Sequence, residues 1–239
     1  MSYKKISANE RGQANYDWLQ ANYSFSFSNW YNPNKMGFGA LRVLNNDTIA
    51  PAGGFPTHSH EDMEIITIPL SGSIAHKDSI GTDGIIQTGE IQIMSAGTGI
   101  SHSEYNGSQT ENLELFQIWI IPNQYGLKPR YDQTKFDPKE RQNQWQTIVS
   151  PNPENHKQIQ KPLKIYQESY FNLADLEAGK SLIYTLNNPK AGIYLMIIEG
   201  EIEINEITLS KRDAVEITGE NEIQITAKTQ ASILVIETV

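Results

Sequence analysis

The chain has 239 residues, enough for one large domain or two smaller ones with buried cores. Its 28 acidic and 19 basic residues leave a formal net charge of −9, a sign that repels phosphate backbones and gives direct nucleic-acid binding no electrostatic support. Cysteine is absent, which excludes disulfides and thiolate metal sites, and apolar runs such as Ile118–Ile121 are far too short to span a bilayer.

In chain order, Met1–Lys5 leads into polar sequence rather than an apolar signal core, so the expected location is the cytoplasm. Ala14–Asn22 carries helical periodicity, as does Asp137–Gln144 more weakly. Between and beyond them the pattern is β. Gly39–Leu44 stops at Asn45-Asn46-Asp47, and Glu64–Leu70 stops at Ser71-Gly72. Ile85–Gln87 precedes Thr88-Gly89, Ile91–Met94 precedes Ser95-Ala96-Gly97, and Leu113–Ile121 ends at Pro122. Short strands at such turn-punctuated spacing indicate an all-β sandwich or barrel with few short helices. From Pro122 to Pro162, Asn, Gln, Pro and Lys dominate and six prolines interrupt the chain, which reads as a connector. A second β-rich block follows from Leu163 to Val239. The expected division is therefore 1–128, a connector 129–162, and 163–239. Leu70-Ser-Gly72-Ser-Ile74 and Ile198-Glu-Gly200-Glu-Ile202 share a layout of strand, glycine turn and returning strand, which suggests an internal duplication.

Three of the five histidines fall into two tight clusters, His58-Ser59-His60 and His102-Ser103-Glu104. Side chains two apart on a strand point to one face. Two such strands side by side would supply three imidazoles and a carboxylate, a suitable set for a divalent transition metal with positions left open for substrate. Glu64 competes with Glu104 for the carboxylate place. It lies four residues after His60, so parity puts it on the histidine face too, and periodicity does not choose between them. The remaining histidines read as bystanders: His76 as a turn or surface residue, His156 as solvated. Phe25, Phe27, Trp30 and Tyr31 read as core or barrel mouth, and Trp119 as core.

The segment Gly54-Phe-Pro-Thr-His58-Ser-His60-Glu-Asp-Met-Glu64, with Gly72 downstream, resembles the first cupin motif. Gly89 through Ser95-Ala-Gly97-Thr-Gly-Ile-Ser-His102 and Asn106 resembles the second. The longer run Phe55–Ile66, together with Ala75–Gly81, Met94–Asn106, Trp30–Pro33 and Leu115–Pro122, resembles the pirin family. That resemblance covers residues 10–130 strongly and 163–239 weakly. It implies a bicupin, two jelly-roll cupin domains of which only the first holds a metal. The implied ligands are His58, His60, His102 and Glu104, so the resemblance selects Glu104. Glu104 and His102 are then the expected catalytic residues, and Glu64, Phe55 and Met94 are expected behind the ligands or beside the substrate. One divalent transition metal is implied. Fe(II) suits the set best, with Zn, Mn, Co, Ni or Cu able to replace it.

The implied activity is that of a quercetin 2,3-dioxygenase-like oxidoreductase, cleaving a flavonol or related enol-bearing aromatic with O2 as a monomer. The alternative implied by the family is a non-enzymatic, redox-sensing protein whose metal tunes a partner-binding face; the acidic surface would then favour a protein partner over DNA.

Overall fold

The computed structural model, which describes residues 1–239, is almost entirely β, as expected. It holds twenty-two strands and three short 3-10 helices, Ala8–Glu10, Pro138–Arg141 and Pro153–Asn155. No helix is long and apolar enough to cross a membrane. In chain order the first strands are β1 (Ser2–Ile6), β2 (Gly12–Asn15), β3 (Leu19–Tyr23), β4 (Leu41–Ile49), β5 (Gly54–His60), β6 (Glu64–Ser71), β7 (Ser73–Asp78), β8 (Asp83–Gln87), β9 (Glu90–Ser95), β10 (Ile100–Asn106), β11 (Leu113–Ile120) and β12 (Arg130–Lys135). They are followed by β13 (Gln146–Ser150), β14 (Leu163–Lys164), β15 (Ser169–Leu176), β16 (Ser181–Thr185), β17 (Gly192–Glu199), β18 (Glu201–Ile204), β19 (Ile207–Ser210), β20 (Ala214–Thr218), β21 (Glu222–Ala227) and β22 (Ala231–Thr238).

Two compact units result: residues 12–136 with 165–167, and residues 1–11 with 137–164 and 168–239. The amino terminus therefore falls differently from the 1–128 division read from sequence. β1 pairs antiparallel with β20, Ser2 opposite Thr218 through Ile6 opposite Ala214, and so belongs to the second unit.

The helix expected over Ala14–Asn22 is instead the β2–β3 hairpin. Leu19, Ala21 and Tyr23 are buried in alternation, and Tyr16 and Leu19 exchange backbone hydrogen bonds of 2.8 and 3.2 Å across the turn. That turn shifts the phase of the apolar positions and so mimics a helical period. Of Asp137–Gln144 only Pro138–Arg141 is helical, a single 3-10 turn whose cap is the Asp137 carboxylate accepting from Lys139 N at 2.9 Å. Pro138 fits the first turn because its missing N–H would be unpaired there anyway.

Each unit has a seven-stranded and a four-stranded sheet. The first unit runs β12-β9-β6-β11-β4-β3-β2 and β5-β10-β7-β8; the second runs β1-β20-β17-β22-β15-β13-β14 and β16-β21-β18-β19. Adding eleven to β9-β6-β11-β4 and to β5-β10-β7-β8 gives the second unit's order. The hairpin glycines agree as well, since Gly72 and Gly200 both sit at φ 80°, the left-handed region that glycine enters without steric cost. Topology thus supports the duplication.

What differs is the filling. Counted along the paired strands from each hairpin glycine, Ile204, Ile223 and Ile225 of the second unit stand where the first has His76, His102 and Glu104. All three isoleucines are buried in one apolar cluster with Leu195, Ile197, Ile202 and Val235. Burying each such side chain stabilises by roughly 1.5–3 kcal/mol. The first unit forgoes that gain at the same positions.

Candidate metal centre

The site is built on the four-stranded sheet of the first unit. β10 lies between β5 and β7, with His102 opposite His58 on one side and Asp78 on the other. A register shift between His102 and Glu104 then sets Glu104 opposite Phe55. Gly54 permits this close approach: a Cβ there would stand 2.5 Å from both the Glu104 carbonyl oxygen and Tyr105 Cα. Parity sends His102 and Glu104 inward, 1% and 4% exposed, while Ser59 and Ser101 meet on the outer face with their hydroxyls 2.7 Å apart.

The three imidazoles of the sequence motif converge. His60 Nε2 lies 3.0 Å from His102 Nε2, and ring centroids are 4.5 Å apart for His58–His102 and 4.9 Å for His58–His60. His58 Nδ1 is 2.8 Å from the Pro56 carbonyl. The carbonyl only accepts, so Nδ1 carries the proton and the Nε2 lone pair is left free. Burial, reinforced by the neighbouring imidazoles, pushes His60 down to about 4 and His102 down to about 3. Both rings are therefore neutral at pH 7, the form that donates a lone pair to a cation.

Glu104 is held in place from behind. Gln117 Nε2 donates to its Oε2 at 2.8 Å, while Thr67 Oγ1 and Gln92 Nε2 approach its Oε1 at 3.4 Å. The donor atoms form two overlapping groups, each within 4.8 Å: His58, His60 and His102, and His76, His102 and Glu104. His102 belongs to both, and its Nδ1 is buried without a hydrogen-bond partner. Neutral imidazoles, a tethered carboxylate and an orphaned ring nitrogen fit a divalent cation.

His76 is not the surface residue that sequence suggested. It lies on β7, 1% exposed, with Nε2 3.1 Å from Asp78 Oδ2 and its ring 4.7 Å from that of Tyr131. Burial would raise the Asp78 carboxyl, but hydrogen bonds from His76, Thr82 and Ile80 outweigh it and hold the group below its usual value. The signal was available in the alternation of Ile74, His76 and Asp78 after the Gly72 turn. Glu64 faces elsewhere: its carboxylate accepts from Ser95 Oγ at 2.9 Å and Tyr166 N at 3.3 Å, with Arg130 at 4.0 Å, rather than joining either histidine group. Met94 is fully buried with Ile65, Ala96 and Ile100 in an apolar cluster and does not line the cavity described below.

A cavity of about 450 Å³ opens over the histidines, between the two sheets. β5 and β10 contribute Phe55, Pro56, Thr57, His58, His60 and Glu104; the facing β4 and β11 contribute Asn45, Asp47, Gln117 and Trp119; Phe27 and Ser28 complete the wall. Phe55 stacks edge-on against Trp18 at 5.0 Å, and Trp119 edge-on against His60 at 4.9 Å. Trp119, expected in the core, is thus partly a wall residue. So is Phe27, whereas Phe25 is core at 2% exposed. Burial first, and Glu104 second, push the Asp47 carboxyl up to about 7.

Residues 5–120 match the family described as Pirin, and residues 147–238 the quercetinase C-terminal cupin domain. The quercetin 2,3-dioxygenase of Escherichia coli K12 is 40% identical over 230 residues, 96% of each chain. A putative quercetin 2,3-dioxygenase of Pseudomonas aeruginosa is 40% identical over 226 residues, 95% of each. The crystal structure of the bacterial pirin YhhW from Escherichia coli in complex with nickel(II) superposes with a TM-score of 0.92 at 39% identity, covering 99% of both chains.

Proposed function

Since this chain belongs to the pirin family, we propose that it is a metal-dependent dioxygenase that opens the ring of flavonols such as quercetin with O2. One observation carries the reading: the donor nitrogens of His58, His60 and His102 lie within 4.8 Å of one another, and His58, His60 and the tethered Glu104 line a cavity walled by Phe27, Phe55 and Trp119. His58, His60, His102 and Glu104 would hold one divalent metal, and Fe(II) is our choice for an O2-dependent reaction. When bound, such a cation supplies Lewis acidity toward a substrate hydroxylate and redox access to O2.

The chain's own residues supply the rest. The Phe27, Phe55 and Trp119 rings bracket a flat aromatic ligand and exclude water from it. The Glu104 carboxylate takes the proton of the reacting hydroxyl, since Gln117 fixes Oε2 and leaves acceptor capacity toward the cavity. Asp78 and His76 sit behind His102 and limit its ring rotation. In the second unit, isoleucines occupy the equivalent positions, so catalysis is assigned to the first unit alone.

Oxygen uptake with quercetin tests the reading. Metal-reconstituted protein is expected to consume O2 with the flavonol, and the His58→Ala variant to fall to background. Uptake that does not depend on added metal, or no uptake from the wild type, rejects it.

A further inference from the structure

Along β4 the inward row runs Leu41, Val43, Asn45, Asp47, Ile49, all buried. Its two middle members are polar, only 2% and 3% exposed, and the Oδ1 atoms of both Asn45 and Asp47 lack a hydrogen-bond partner. Native proteins rarely leave buried acceptors unpaired, because each has given up water without replacement. Neither belongs to the histidine groups, yet both line the same cavity on the wall facing His58 and His60. On the seven-stranded sheet, Asn45 is flanked by Gln117 and Tyr23, and Asp47 by the apolar Leu115 and Ala21, so neither cross-strand neighbour supplies a donor to Asp47.

We propose that Asn45 and Asp47 are specificity-determining residues, acceptors that select an aromatic ligand by hydroxyl groups carried away from its reacting hydroxyl. The inference deepens the proposed function and rests on its aromatic substrate. Two residues apart on one strand face, Asn45 and Asp47 are spaced by about 6.7 Å of backbone rise, a span matched by the edge of a single ring bearing O–H groups. Ligands whose remote hydroxyls are missing or methylated leave the two oxygens unpaired and bind less well, and that selection is strong because the site's own buried groups suffer.

The test combines binding and stability. Flavonols with two, one or no hydroxyls on the pendant ring, and with the fused-ring hydroxyls removed, are titrated without O2 into metal-loaded protein, following tryptophan fluorescence. The wild type is expected to lose about tenfold in affinity for each hydroxyl that reaches this wall, the worth of one well-made hydrogen bond. In Asp47→Val and Asn45→Val that penalty is expected to vanish while Tm rises by about 2–4 °C, since unpaired acceptors give way to β-branched apolar groups. A structural polar pair would instead lower Tm on replacement. An unchanged hydroxyl penalty in both variants, or a fall in Tm without loss of discrimination, overturns the proposal.

Failure of the reaction reads separately. Hydroxyl-dependent binding without quercetin turnover would remove the dioxygenase and leave the recognition wall standing. If no flavonol binds, 1,2-dihydroxybenzene against its dimethoxy analogue is the remaining probe: preference for the former, lost in Asp47→Val, supports the wall, and no preference overturns it.

Discussion

In the metal-free protein, His60 and His102 titrate in the opposite sense to Asp47. The unfolded chain protonates each imidazole near pH 6.5, whereas burial and neighbouring rings hold them to about 4 and about 3 in the fold. Below about pH 6.5 the unfolded state binds more protons, so their contribution to stability is complete above that value and lost as pH falls toward 4 and 3. Asp47, raised to about 7, keeps a proton that the unfolded chain releases near pH 3.9. Its contribution is complete at low pH and lost as pH rises through 7. Urea unfolding of metal-free wild type and Asp47→Asn should therefore show the wild type losing ground to the variant between about pH 4 and about pH 7, with the difference constant above that. A constant difference between them across that range would refute the assignment. Gln117 offers a second check, because it tethers Glu104 without touching the imidazoles. Gln117→Leu is expected to weaken metal binding about 10–100-fold in competition with a chelator, with the fold intact. Unaltered affinity would mean that Glu104 is not at the cation.

β5 and β10 reach the site only because they approach closely at Gly54. An added Cβ meets the Glu104 carbonyl and Tyr105 Cα, both backbone atoms that cannot swing aside. Gly54→Ala should cost about 1–3 kcal/mol in urea unfolding and lower metal retention with it, by prising the two ligand-bearing strands apart. Stability loss with metal binding untouched would contradict that. These two strands were legible in the sequence because parity acts within one strand: His58 with His60, and His102 with Glu104, need no knowledge of the fold. The choice of Glu104 over Glu64 was not legible from periodicity, since both obey parity. Sheet membership separates the two: β6 carries Glu64 toward Ser95 and Tyr166, whereas Glu104 lies within reach of His76 and His102. His76 was misplaced because its flanks, Lys77 and Asp78, look like a turn, although Asp78 is the partner its Nε2 meets on the inner face. The β2–β3 hairpin was misread because one turn, Tyr16–Trp18, restores a helix-like spacing to two alternating strands. Local pattern yields the faces of strands; which faces meet is a non-local matter.

Across the whole chain, one topology carries two fillings, a polar metal-competent interior and an apolar one. The division of labour predicts that damage to the second unit spares the centre. Deleting residues 1–11 removes β1 and the buried Ile6, baring the hydrogen-bonding edge of β20. The truncated protein should lose stability and self-associate through that edge, seen by calorimetry and size exclusion, while binding one metal per chain. The most direct test of the account is anomalous diffraction from metal-loaded crystals. A single peak should lie about 2.0–2.2 Å from a nitrogen of each of His58, His60 and His102 and from a Glu104 oxygen. A peak held by His76, His102 and Glu104 with His58 and His60 unligated, or no peak at all, would contradict it.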